Sequence, residues 1–174
     1  MSRAIPTMLA MLFLNAGCAR SQARPGFQTV ASVEVLRAAM TQSGQKIRMR
    51  PGTYVVRDAL PDDPKTVFRC SGSDNHFDLR GVTIQLDTKV LANMPKTPAH
   101  QLGVYRIEGS KNVFEGATFE DIGDHPPKRS LSEFTVTGDD VTFLDCRFII
   151  RGSSPYGVGD LYGKGAGSFV RLQK

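Results

Sequence analysis

The chain's 174 residues, 40% of them apolar, are enough for one domain with a substantial core and too few to expect several. Its 22 Lys and Arg against 17 Asp and Glu give a formal charge of +5. That falls to +3 if Arg3 and Arg20 leave with an N-terminal leader, a field too weak to argue for a nucleic-acid partner.

Such a leader is readable in residues 1–23. Arg3 precedes the apolar run of residues 7–14, which is too short to span a bilayer and fits a secretory signal peptide. Two processing routes are open. Leu14-Asn15-Ala16-Gly17-Cys18 is similar to a lipobox, which would make Cys18 a lipidation site, although Asn15 stands where leucine is preferred. Ser21-Gln22-Ala23 is a small-x-small site for ordinary cleavage. Either route predicts export to the periplasm or cell surface, with membrane contact only through a possible lipid anchor.

Residues 24–174 then read as one domain. Ser32 is placed to cap a helix over residues 33–41, with Glu34 in its first turn and Gly44 just beyond its end. Val33, Leu36, Ala39 and Met40 fall on one face. Downstream, a template recurs. Phe68-Arg69-Cys70-Ser71-Gly72, Tyr105-Arg106-Ile107-Glu108-Gly109 and Phe134-Thr135-Val136-Thr137-Gly138 each run aromatic, polar, apolar, then glycine two positions on. Val170-Arg171-Leu172 begins it again. A second short strand follows each copy: Val82-Thr83-Ile84, Ala117-Thr118-Phe119 and Cys146-Arg147-Phe148. The first aromatic positions are spaced by 37, 29 and 36 residues, and the excess sits in three inserts, 88–103, 123–132 and 152–167. Period-2 alternation predicts strands, and a repeat of this size predicts a solenoid whose units bury apolar faces against one another. The inward columns would be Phe68/Tyr105/Phe134/Val170 and Ile84/Phe119/Phe148. Arg69, Arg106, Thr135 and Arg171 would point outward.

The runs Ser110-Lys111-Asn112-Val113-Phe114-Glu115-Gly116 and Asp139-Asp140-Val141-Thr142-Phe143-Leu144-Asp145, with the opening Gly44-Gln45-Lys46-Ile47-Arg48-Met49-Arg50-Pro51-Gly52, carry a family resemblance. Over about residues 27–174 the chain resembles the N-terminal portion of the pectate-lyase-like right-handed parallel β-helix proteins. The resemblance implies an all-β solenoid capped by the N-terminal helix. Lys174 falls inside what would be a fifth rung, so the solenoid is expected to be incomplete at its C-terminus. Missing rungs or a partner would then cover the open end.

Cys70 and Cys146 would lie on different strands two rungs apart, roughly 10 Å at strand spacing. That is too far for a disulfide, and both are expected to be buried free thiols. No Cys or His falls at ligand spacing, and no metal or cofactor is expected. Asp139-Asp140 reads as a turn, and His76, near a strand start, as structural.

The resemblance implies a carbohydrate-active protein, and the expected partner is an acidic polysaccharide or other glycan. An outward column of Arg69 and Arg106 suits carboxylates or sulfates. Tyr156 and Tyr162 are the expected ring-stacking contacts, since tryptophan is absent. The insert Gly123-Asp124-His125-Pro126-Pro127-Lys128-Arg129-Ser130 gathers acid, base and cation, so His125, Lys128 and Arg129 are the expected catalytic groups if the chain is a lyase or hydrolase. A non-catalytic cell-envelope binding module and an inactive fragment of a longer protein are the alternatives. All three inserts follow the same strand family and are expected to wall a groove on one side.

Overall fold

The computed structural model describes residues 26–95, 103–123, 125, 132–150 and 170–172. Among these residues, thirteen strands and two helices run in the order β1 (Gln28–Val30), α1 (Val33–Met40), β2 (Lys46–Met49), β3 (Gly52–Val56), β4 (Phe68–Cys70), β5 (His76–Asp78), β6 (Val82–Asp87), α2 (Thr88–Asn93), β7 (Gly103–Ile107), β8 (Val113–Glu115), β9 (Thr118–Ile122), β10 (Ser132–Val136), β11 (Thr142–Leu144), β12 (Arg147–Ile150) and β13 (Val170–Leu172). They form three sheets. Sheet I has the order β1-β2-β5-β8-β11, sheet II β3-β6-β9-β12 and sheet III β4-β7-β10-β13. Every pairing is parallel. From β2 onward the chain enters the sheets in strict rotation, so neighbours in a sheet lie three strands apart in sequence.

The expected columns are in register. Phe68 pairs with Tyr105, Tyr105 with Phe134 and Phe134 with Val170, while Ile84 pairs with Phe119 and Phe119 with Phe148. The same pairings align Arg69, Arg106, Thr135 and Arg171. Parallel strands lie about 4.8 Å apart, close to ring-stacking distance, so inward aromatics pile face to face. Phe68–Tyr105 and Tyr105–Phe134 stack at 5.1 and 4.4 Å, and Phe77–Phe114 and Phe114–Phe143 at 5.1 and 5.2 Å. Phe77 and Phe114 belong to strands β5 and β8, the third strand of each turn. The two-strand template had missed this strand, because three residues carry too little alternation to register.

Polar ladders tie the turns together. The Ser73 amide donates to Ser43 Oγ, Ser110 to Ser73 Oγ and Asp139 to Ser110 Oγ, each at 3.0 Å. Asn112 Oδ1 accepts from the Asn75 amide at 3.2 Å, and its Nδ2 donates to the Gly72 and Gly109 carbonyls at 2.8 Å. These bonds satisfy backbone groups that a buried turn would otherwise strand. Asp139 and Asp140 do lie at a turn, Asp140 with φ +56°.

Helix α1 forms where its cap predicts. Ser32 Oγ accepts from the Val35 amide at 3.3 Å, and Val33, Leu36 and Met40 are buried. Cys70 and Cys146 are both free. Cys70 is buried, and burial pushes its thiol up to about 12. Cys146 is only half-buried, less enclosed than expected, and burial raises its thiol too. Among the described residues no helix is long and apolar enough to cross a membrane. Residues 1–23, and with them Cys18, lie outside the described residues.

Candidate functional site

Sheet II places the site, because the chain leaves it from the carboxyl ends of adjacent strands. Residues 57–66 follow β3, and α2 follows β6, inside the 88–103 insert. Six residues are too few to hold a helix by themselves. Here the Asp87 carboxylate accepts the Lys89 amide at 2.9 Å as a cap, and Thr88, Val90 and Leu91 bury against the body of the protein. Between these two exits lies a cleft of about 490 Å³. Arg57, Asp58, Ala59 and Pro64 line one side, and Asp87, Lys89, Val90, Asn93 and Met94 the other.

The cleft's charges are unequally engaged. Asp58 is held by Arg37, whose Nη1 lies 3.2 Å from Oδ2 and whose Nη2 donates to the Asp58 carbonyl at 2.9 Å. Asp87 serves as the α2 cap. Among the described residues Arg57 and Lys89 form no side-chain ion pair. Two cations in a lining that also includes Ala59, Pro64, Val90 and Met94 suit a ligand with anionic groups along a partly apolar body.

The next strand of sheet II, β9, brings Gly123 and His125 to the same end. The His125 amide donates to Thr88 Oγ1 at 3.1 Å, so His125 starts against the first turn of α2. Gly123, at φ +97°, permits this approach, since a Cβ there would meet Thr88 Oγ1 at 2.8 Å. His125 is exposed and does not line the cleft. Lys128, Arg129, Tyr156 and Tyr162 lie outside the described residues.

Arg69 and Arg106 stand side by side on β4 and β7, on sheet III rather than in the cleft. Carboxylates already engage both. Asp63 Oδ2 accepts from Arg69 Nη2 and lies 3.4 Å from Arg106 Nη1. Glu108 Oε1 lies 2.6 Å from Arg106 Nη2, and Asp62 Oδ2 lies 3.5 Å from Arg69 Nη1. Burial would raise the Asp63 carboxyl. The Thr66 hydroxyl, the Lys65 amide and the two guanidinium charges outweigh it and hold the group below its ordinary range.

A second network covers the outer face of sheet I. His76 Nε2 lies 2.9 Å from Glu115 Oε2, and Asp78 takes Arg80 Nη2 at 2.7 Å and Arg48 Nε at 3.0 Å. Hydrogen bonds from Arg80, then from Arg48, hold the Asp78 carboxyl well below the usual range against its burial. The groups satisfy one another across β2, β5 and β8, which is the structural role expected of His76. Among the described residues no group of three His, Cys, Asp or Glu side chains is placed to hold a metal ion.

The sequence reading missed Arg57 and Lys89. The available signal was the charged, proline-bearing stretch Arg57-Asp58-Ala59-Leu60-Pro61-Asp62-Asp63-Pro64 between two strands. No protein-family model matches the chain, and no curated protein is significantly similar to it.

Proposed function

We propose that the three sheets are the faces of a right-handed parallel β-helix similar to the pectate-lyase-like proteins, and that this exported protein binds an acidic polysaccharide in the cleft beyond sheet II. The observation that carries the reading is the pair Arg57 and Lys89, two cations without ion-pair partners among the described residues, lining one cleft with Ala59, Pro64, Val90 and Met94. A uronate chain offers a carboxylate on each ring and apolar C–H faces between them, the complement of such a lining. Export by signal peptide, with or without lipidation at Cys18, would place the protein where such polymers occur.

Lyase chemistry would need a base near the cations, since removing the proton next to a uronate carboxylate needs that charge neutralised; His125, outside the lining but bonded through its amide to Thr88, is the candidate. Hydrolysis has less support. It needs two carboxyl groups flanking the bond, whereas Asp58 is engaged by Arg37 and Asp87 by the Lys89 amide. That engagement favours a non-catalytic binding module as the second reading. Calorimetric titration with oligogalacturonate tests the proposal. Arg57→Gln and Lys89→Gln should each weaken binding about tenfold, and added salt should weaken the wild type. Binding that neither variant alters would count against the cleft. Growth of ultraviolet absorbance from unsaturated products would separate a lyase from a binder.

A further inference from the structure

Arg69 and Arg106 stand away from the cleft lining, yet both pair with Asp63 in the loop that lines one of its sides. Residues 57–66 supply Arg57, Asp58, Ala59 and Pro64 to the cleft and then return to β4 as a tightly bonded loop. The Leu60 amide donates to the Thr66 carbonyl at 2.8 Å, Asp63 to Leu60 at 3.2 Å and Thr66 to Asp63 at 3.0 Å. At the near end Arg37 of α1 grips Asp58. At the far end stands Asp63, buried, with Thr66 Oγ1 donating to its Oδ2 at 2.9 Å and the Lys65 amide to its Oδ1 at 3.3 Å. That same Oδ2 meets Arg69 and Arg106 from two adjacent strands of sheet III.

We propose that Asp63 is the positioning residue of the cleft, clamping the wall that carries Arg57 onto Arg69 and Arg106, so that these two arginines set ligand affinity without touching ligand. The inference rests on reading the cleft as an acidic-glycan site. Its physical basis is that one largely buried carboxylate collects a hydroxyl, an amide and two partly exposed guanidinium groups through charge-assisted bonds, which are stronger than neutral ones. Removing the Asp63 charge does not strand the arginines, because Glu108 lies 2.6 Å from Arg106 and 3.9 Å from Arg69. The sheet should therefore survive a change that frees the loop.

Two readouts on Asp63→Asn and Asp63→Glu decide the matter: amide hydrogen exchange, and calorimetric affinity for oligogalacturonate. Asp63→Asn should speed exchange at residues 60, 63 and 66 about tenfold, leave β4 and β7 protected, and weaken binding about tenfold. Asp63→Glu, which keeps the charge, should restore part of both. Arg57→Gln should weaken binding and leave exchange unchanged, separating ligand contact from wall position. Unchanged exchange in Asp63→Asn overturns the clamp, and faster exchange with undiminished affinity overturns its effect on the cleft. If the wild type binds no uronate oligomer, the glycan reading fails, and the exchange arm alone then decides whether Asp63 holds the wall.

Discussion

Replacing Gly109 by alanine is expected to cost about 4 kcal/mol or more. Gly72, Gly109 and Gly138 hold equivalent places in the repeated template, and each donates its amide to a carbonyl of the preceding element: Gly72 to Met40 at the end of α1, Gly109 to Cys70 of β4 and Gly138 to Ile107 of β7. The close approach that makes these bonds leaves no room for a side chain. A Cβ on Gly109 would fall inside the van der Waals envelope of the Gly72 carbonyl oxygen, with the Ser71 oxygen 3.0 Å away. Both are backbone atoms, so relief requires separating the turns and breaking the Asn112 and Ser110 ladders beside them. Gly44 provides the contrast. It has φ +70° with open space around its Cβ position, so Gly44→Ala should lose only about 1 kcal/mol, from backbone strain. Urea unfolding of the two variants checks this. Gly109→Ala within about 1 kcal/mol of wild type would contradict close stacking of the turns.

Asp121→Asn is expected to make the protein more stable at pH 8 by about 4 kcal/mol while leaving it nearly unchanged at pH 4. Asp121 sits in the column of Val56 and Leu86 on sheet II, where the neighbouring positions are apolar and buried. It is 3% exposed, and its Oδ2 has no hydrogen-bond partner among the described residues. Burial pushes its carboxyl from the ordinary 3.8 up to about 7. The folded state therefore holds this proton through a range in which the unfolded chain releases it. Stability from this group is complete below the unfolded value, falls by about 1.4 kcal/mol per pH unit above it, and levels off once pH passes the folded value. Asparagine keeps the shape and removes the titration. Denaturant unfolding between pH 4 and 8 should show the slope in the wild type and lose it in the variant. Parallel curves for the two proteins would show that Asp121 is not the group responsible.

The columns of sheets II and III were legible because aromatic, apolar and glycine positions recur together, and the Gly109 contact explains why glycine belongs to the pattern. Helix α1 was legible from Ser32 and its apolar face. The third strand was not, since Val113-Phe114-Glu115 is too short for alternation to stand out. Its identity rests on Phe114 stacking between Phe77 and Phe143. The six-residue α2 depends on burial of Val90 and Leu91 more than on its own sequence. At the candidate site, shared exit from one sheet was foreseeable for the 88–103 and 123–132 inserts, and His125 does meet Thr88. Outward arginines were foreseeable too. Their engagement was not, because Asp63 lies 6 residues from Arg69 and 43 from Arg106, with nothing in the sequence to pair them. Arg57 and Lys89 stand out for the opposite reason, as cations without such partners among the described residues.

Whether an acidic glycan occupies the cleft at the end of sheet II is decided by nuclear magnetic resonance titration of the isotope-labelled protein with oligogalacturonate. Amide shift changes should concentrate at residues 57–64 and 87–94 and be lost in Arg57→Gln. Shift changes centred on the Arg48, Asp78 and Glu115 face of sheet I, or none at saturating oligomer, would contradict a glycan in the cleft.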